Sequence, residues 1–291
     1  MSNAPHPRFS GRVAAITGAG SGIGRALAHE LARRGCHVAI SDVREESLKP
    51  VAEECEACGV KVSLARVVTA DRAAVHAWAD ETTASFGQVN FIFNNAGVAL
   101  AASVNGVTYE DFEWIMGINF WGVVHGTKAF LPHLIASGDG HIVNVSSVFG
   151  LAGIPSQGGY NAAKFAVRGF TDCLRQELEL MDCGVSCTCV HPGGIKTNIA
   201  RAARKHASVR ELGLPEDDGS DFENVARTTP EQAAQIILKA VERNRRRVMV
   251  GPDGYLFDWV TRLIPEYYPR MIVAATRWGA RRKQSQPEAT R

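Results

Sequence analysis

Short runs of apolar and β-branched residues alternate along this chain with amphipathic stretches of helical length, and that alternation permits few folds. Strands that reach one another only through helices pair in parallel, and the connecting helices bury both faces of the sheet. Strands are expected at 13–17, 38–41, 61–67, 90–94, 141–146, 185–191 and 247–250. Helices are expected to begin near Gly22, Glu45, Arg72, Thr108, Gly159 and Pro230. The fold class read from this is α/β, a doubly wound parallel sheet of about seven strands with helices on both faces. At 291 residues the chain can bury one large core, so it is read as a single catalytic-sized domain spanning 11–254.

The rhythm breaks in three places. Residues 1–10 carry two prolines among polar residues and read as a flexible tail. The interval 198–228 starts basic, ends acidic and contains Gly213, Pro215 and Gly219, so it reads as a mobile lid over a bound substrate. Residues 255–291 form an extension whose end, past Arg281, reads as disordered. Its apolar and aromatic residues up to Trp278 suit a protein interface or a channel wall better than a membrane surface, although a peripheral membrane contact stays open.

Charge and cysteine content narrow the function classes. A net charge of +2 gives no argument for nucleic acid. Seven cysteines, an odd number, suit free thiols in a reducing compartment, and no charged-then-apolar leader opens the chain, so the cytoplasm is expected. Cys55 and Cys58 have zinc-like spacing but no second pair follows them, and no metal is expected.

Three constellations carry chemistry. Gly18, Gly22 and Gly24, with Ser21 and Ile23 between them, lie where the first strand meets the first helix. Missing side chains there let the backbone approach a pyrophosphate, with helix N–H groups facing its charge. Arg25 and Ala26 follow, which excludes the Gly-Lys-Ser/Thr loop of an NTPase. Asp42 ends the second strand, placed to accept hydrogen bonds from ribose hydroxyls and to repel a 2′-phosphate; Arg44 nearby is the competing attraction. Tyr160 and Lys164, four apart, share one helix face, so an ammonium can ease proton transfer by a phenol whose ordinary pKa is about 10. Thirteen residues before Tyr160 stands Ser147, with Ser146 as its competitor.

Together these residues resemble the short-chain dehydrogenase/reductase family over about 11–250, a family with a Rossmann-type sheet. The resemblance implies an NAD-dependent oxidoreductase, NADP being disfavoured, in which Tyr160 gives or takes the proton. Ser147 would bind the substrate oxygen, Lys164 would stabilise tyrosinate and hold the nicotinamide ribose, and Asn119 would hold a water beside the lysine. It also implies cofactor contacts from Asn95, Ala96 and Gly97 and from Pro192, Gly193, Ile195 and Thr197. An adenine-binding aspartate is missing after the third strand, where Val68 stands; backbone groups or a shifted Asp71 are the alternatives. Apolar residues after the motifs, Val98, Ala99, Phe149, Leu151, Ala152, Ile154 and Pro155, suggest a hydrophobic alcohol, ketone or aldehyde as substrate. The family's habit suggests a homodimer or homotetramer, with Phe170, Leu174 and Leu178 contributing to the interface. Two other function classes stay in view: an NAD-retaining epimerase or dehydratase on a related fold, and a non-catalytic dinucleotide-binding regulator.

Overall fold

A computed structural model describes residues 6–214 and 226–284. Its main sheet has seven parallel strands in the order β3-β2-β1-β4-β6-β7-β9, formed by Val13–Thr17 (β1), His37–Asp42 (β2), Val62–Arg66 (β3), Phe91–Asn94 (β4), Gly140–Val145 (β6), Val185–Pro192 (β7) and Arg247–Val250 (β9). All seven sequence-predicted strands are present. The order reverses between β1 and β4, and ligands of doubly wound sheets bind outside the carboxyl ends of the strands at such a switch point.

Strand side chains alternate between two cores. On one face Ala14, Ile16, Val38, Ile40, Phe91 and Phe93 pack under helices Gly22–Arg33 (α1) and Pro230–Glu242 (α7), which contribute Leu27, Leu31, Ile237 and Leu238. On the other, Val13, Ala15, Ile92 and Ile142 meet Arg72–Phe86 (α3), Gly122–Ser137 (α5) and Gly158–Met181 (α6) through Trp78, Phe130, Leu134, Leu174 and Leu178. Leu174 and Leu178 are thus spent inside the protomer, and Phe170 packs edge-on against Phe120. Leu174 and Leu178 therefore leave no apolar surface for a second copy, while Phe170 stays half-buried; the periodicity that marked the two leucines is that of a core-facing helix.

The helix expected from Thr108 is broken. Tyr109–Met116 (α4) passes through a π-helical turn at Gly117–Trp121 before α5 begins. Helix Leu48–Glu56 (α2) likewise starts after a 3-10 turn at Glu45–Ser47. Two strands escaped the sequence reading because each has two residues: Leu100–Ala101 (β5) pairs with Arg204–Lys205 (β8).

That small sheet bears on the expected lid. Residues 198–214 contact the body: Arg204 lies 3.6 Å over the Trp114 ring and 2.8 Å from Asp111, and the buried Ser208 hydroxyl accepts the Ser103 N–H. Part of the expected lid, 215–225, lies outside the described residues, as do 1–5 and 285–291 at the termini.

Residues 6–10 also depart from expectation. Phe9, read as part of a loose tail, is fully buried against Phe91 at 5.4 Å between ring centroids, with the Arg34 guanidinium over its other side. Arg8 and Arg12 both pair with Asp139. One aromatic residue in a polar stretch carries no periodic signal, so the sequence concealed this anchor. Phe9→Ala should destabilise the fold by about 3–5 kcal/mol, measured as a lowered urea midpoint at unchanged slope.

Candidate active site

Every sequence-predicted site residue lies at the carboxyl end of the sheet. Thr17 closes β1, and its hydroxyl accepts the backbone N–H groups of both Asn95 and Ala96 at 3.0 Å. The Asn95 amide donates to the Thr17 and Gly18 carbonyls at 2.9 and 3.3 Å. A Cβ on Gly24 would stand 2.6 Å from the Asn95 amide nitrogen and on the Gly18 carbonyl, and one on Gly18 would be 2.8 Å from Ala96 Cα. Gly18 and Gly22 also have positive φ of 66° and 53°. The cradle therefore stays open because it has no side chains, and Ser21 and Ile23 flank the start of α1 within it.

Asp42 meets this turn from β2. Its carboxylate accepts the Gly20 N–H and the Arg44 N–H, both at 3.1 Å, while Arg44 itself is exposed. From the other side, a Cβ on Gly22 would touch Thr197 at 3.1 Å, so the first and last cofactor motifs adjoin. Asp71 is turned away: it caps α3 by accepting the Ala74 N–H. The shifted-aspartate alternative for adenine thereby loses its carboxylate to the helix, and Val68 is exposed.

Between these motifs sit the catalytic candidates. Lys164 is buried on α6, donates to the Val145 carbonyl at 3.0 Å, and holds its Nζ 5.6 Å from the Tyr160 ring centre. Burial lowers its ammonium to about 8. Burial also pushes the Tyr160 phenol up to about 12, against an opposing hydrogen bond with Ser147. In this structure the ammonium is held by the Val145 carbonyl, and burial dominates the position of both groups.

Ser147 is the serine that meets Tyr160. Its oxygen also accepts the Phe149 N–H at 3.1 Å, whereas the Ser146 hydroxyl donates to the Lys164 carbonyl at 2.8 Å and braces α6. Phe149 stands edge-on to Tyr160, centroids 6.0 Å apart. Of the expected apolar wall, Leu151 and Ala152 are buried, while Val98, Ala99, Ile154 and Pro155 are half-buried. An apolar cavity of about 200 Å³ opens at the first turn of α6, among Leu100, Ala102, Val104, Val107, Phe112 and Gly159.

Asn119 sits in the π-helical turn, a local widening common at functional sites. Its side chain is committed to Val98, accepting the N–H and donating to the carbonyl, each at 2.8 Å. A Cβ on Gly97 would lie 3.3 Å from Asn119 and 3.6 Å from Lys164 Nζ, which places Gly97 between them.

Past β7, Gly193 donates to the Val250 carbonyl, Lys196 to the Thr228 carbonyl, and the Ile195 side chain is buried. His191 is buried at the strand end, where a ring nitrogen lies 2.9 Å from the Ser147 carbonyl. A carbonyl only accepts, so Nδ1 carries the proton, and burial lowers this imidazole to about 4.

Two positioning residues escaped the sequence reading. Asn161 stitches the loop after Ser147 to α6, donating to the Phe149 and Ala152 carbonyls at 2.6 and 2.8 Å and accepting the Ile154 N–H at 3.0 Å. Its place between Tyr160 and Lys164 was the available signal. Asp253 accepts the Gly194 N–H at 2.6 Å from the helix Pro252–Leu263 (α8), and nothing in its sequence neighbourhood marks it.

Comparisons with known proteins agree with this geometry. The short chain dehydrogenase family model matches residues 12–208. The Mycobacterium tuberculosis protein named oxidoreductase SadH is 47% identical over 268 residues, covering 91% of this chain and 95% of its own length. A C alpha-dehydrogenase of Sphingobium sp. is 37% identical, covering 84% and 82%. A short chain dehydrogenase/reductase of Burkholderia phymatum, solved in complex with NAD, superposes with a TM-score of 0.80 at 32% identity, covering 91% of this chain and 97% of its own. The chain belongs to the short-chain dehydrogenase/reductase family and is an NAD(P)-dependent oxidoreductase.

A buried lysine with a depressed pKa costs stability while it is charged. In the unfolded chain Lys164 keeps its proton to about 10.5, so between about 8 and 10.5 the unfolded state binds more protons and stability rises with pH. Lys164→Met should therefore lose about 2–3 kcal/mol of its stability relative to wild type between pH 7 and pH 10.5, read from urea unfolding across that range.

Proposed function

We propose that this enzyme is an NAD-preferring dehydrogenase that interconverts hydrophobic secondary alcohols and ketones, or alcohols and aldehydes, with Tyr160 as the general acid/base. The observation carrying this reading is that Tyr160, Ser147 and Lys164 gather beside a side-chain-free turn that Asp42 borders. The residues fit a dinucleotide: Gly18, Gly22 and Gly24 give its pyrophosphate room, Asp42 suits ribose hydroxyls, and Ile195 and Thr197 flank the nicotinamide side. When bound, nicotinamide supplies or accepts the hydride.

The protein's own residues manage the proton. A phenol near 12 is protonated at neutral pH and is a donor to a carbonyl being reduced. In the oxidative direction the same phenol must lose its proton first, and positive charge beside it favours that loss. Ser147, whose oxygen accepts from Phe149 and whose hydroxyl meets Tyr160, stands where a substrate oxygen could take over that hydrogen bond. Lys164 and the main chain of Asn119 extend the proton path inward. The apolar residues around Phe149 and the absence of a basic side chain among them support a hydrophobic substrate.

Tyr160→Phe removes the exchangeable proton but little contact area. Turnover of apolar alcohols, followed by absorbance of reduced nicotinamide, should fall by more than about a thousandfold while NAD affinity changes less than about threefold. Asp42 should make NAD at least about tenfold better than NADP in kcat/KM, a difference of roughly 1.4 kcal/mol. Asp42→Ala should narrow that gap; equal wild-type use of both cofactors would reject the assignment.

A further inference from the structure

Beyond β9 the chain forms α8 and a last helix, Tyr268–Gln284 (α9), whose chemistry the oxidoreductase reading does not use. The inner side of α8 is fixed to the domain: Gly254 is buried, and the Asp258 carboxylate takes both hydrogen bonds of the Arg247 guanidinium, at 2.9 and 3.0 Å. Its outer face carries Leu256, Trp259 and Leu263 at positions i, i+3 and i+7, each more than 60% exposed. Met271 and Val273 on α9 and Tyr267 before it are also exposed, and no side chain described on α9 is buried. Protein helices owe most of their stability to a packed apolar face, and apolar surface on this scale marks a binding site.

Charge decides the occupant. Residues 268–284 contain Arg270, Arg277, Arg281, Arg282 and Lys283 and no aspartate or glutamate. Pairing α9 with its copy across a twofold axis would bring two helices of the same strong positive charge together, a repulsive contact. Interleaved cations, tryptophan and aliphatic residues with no anion are instead the composition of a helix lying at the headgroup boundary of an anionic bilayer. No helix among the described residues is long and apolar enough to cross a membrane, so the contact is at the surface. We propose that α8 and α9 dock this enzyme onto anionic lipid, with Leu256, Trp259, Leu263 and Met271 entering the interface and Arg270 and Arg277 facing the headgroups.

The test is cosedimentation of the full chain with vesicles of phosphatidylcholine, alone or mixed with phosphatidylglycerol. Binding is expected on the mixed vesicles, weak on phosphatidylcholine and released by salt. Arg270→Gln and Arg277→Gln should each weaken binding to mixed vesicles by roughly fivefold. Trp259→Ser combined with Met271→Ser should abolish it, with thermal unfolding unchanged because these side chains are exposed. Absence of binding to mixed vesicles would overturn the proposal, as would binding indifferent to all four substitutions. Light scattering that shows the double serine variant dissociating an oligomer, with vesicle binding intact, would assign the surface to a second copy instead.

Discussion

The Thr17 hydroxyl is the joint on which the site turns. By accepting two N–H groups from the β4 loop while the Asn95 amide donates back to two carbonyls of the β1 loop, it closes the two sides of the switch point on each other. That closeness requires the glycines, since a methyl group on Gly18 or Gly24 would occupy the partner's backbone. Deeper in the sheet, Asn94 donates to Asn144 at 2.8 Å and Asn144 to Thr171 at 3.0 Å, a buried polar line that ties β4, β6 and α6 together. A Cβ on Gly126 would stand on the Asn94 amide oxygen, so α5 has to present a glycine there. The catalytic helix is thus registered to the cofactor turn through side-chain amides rather than through apolar packing, whose non-directional contacts fix position less closely.

The same burial that orders the site opposes its chemistry. A phenol held up near 12 and an ammonium held down near 8 are each shifted toward the uncharged form, which is what a desolvated pocket does to both kinds of group. Charge brought by a ligand has a larger effect in such a pocket than it would have in water.

Much of this was legible in the sequence because it is periodic or clustered. The seven strands follow from apolar runs, and the order Gly18 to Gly24, Ser147, Tyr160 and Lys164 from spacing along one chain. The thirteen-residue separation from Tyr160 favours Ser147 over Ser146; in the structure Ser147 meets Tyr160 while Ser146 meets the Lys164 carbonyl. What escaped has physical reasons. Phe9 and Asp253 act as single residues through contacts distant in sequence. The π-helical turn around Asn119 keeps helical periodicity on both sides. The β5–β8 pair is too short to show alternation, yet it fastens part of a segment whose glycines and charges read as mobile. Leu174 and Leu178 show the converse error, an apolar stripe whose partner is the sheet of the same protomer.

Asp253 joins the last two themes. A single carboxylate at the start of α8 holds Gly194 at 2.6 Å, and a Cβ on Gly193 would strike it, so the loop beyond β7 rests on a helix whose far side faces outward. Gly254, buried next to Asp253, seats the start of α8 closely against Met249 and His191. If occupancy of the outer face tilts α8, the loop tilts with it, and by linkage the reverse holds: whatever factor a surface ligand applies to dinucleotide affinity, the dinucleotide applies to the surface ligand. Such couplings are typically about 1–3 kcal/mol, enough for one hydrogen bond to make where the enzyme resides and what it has bound two readings of a single equilibrium.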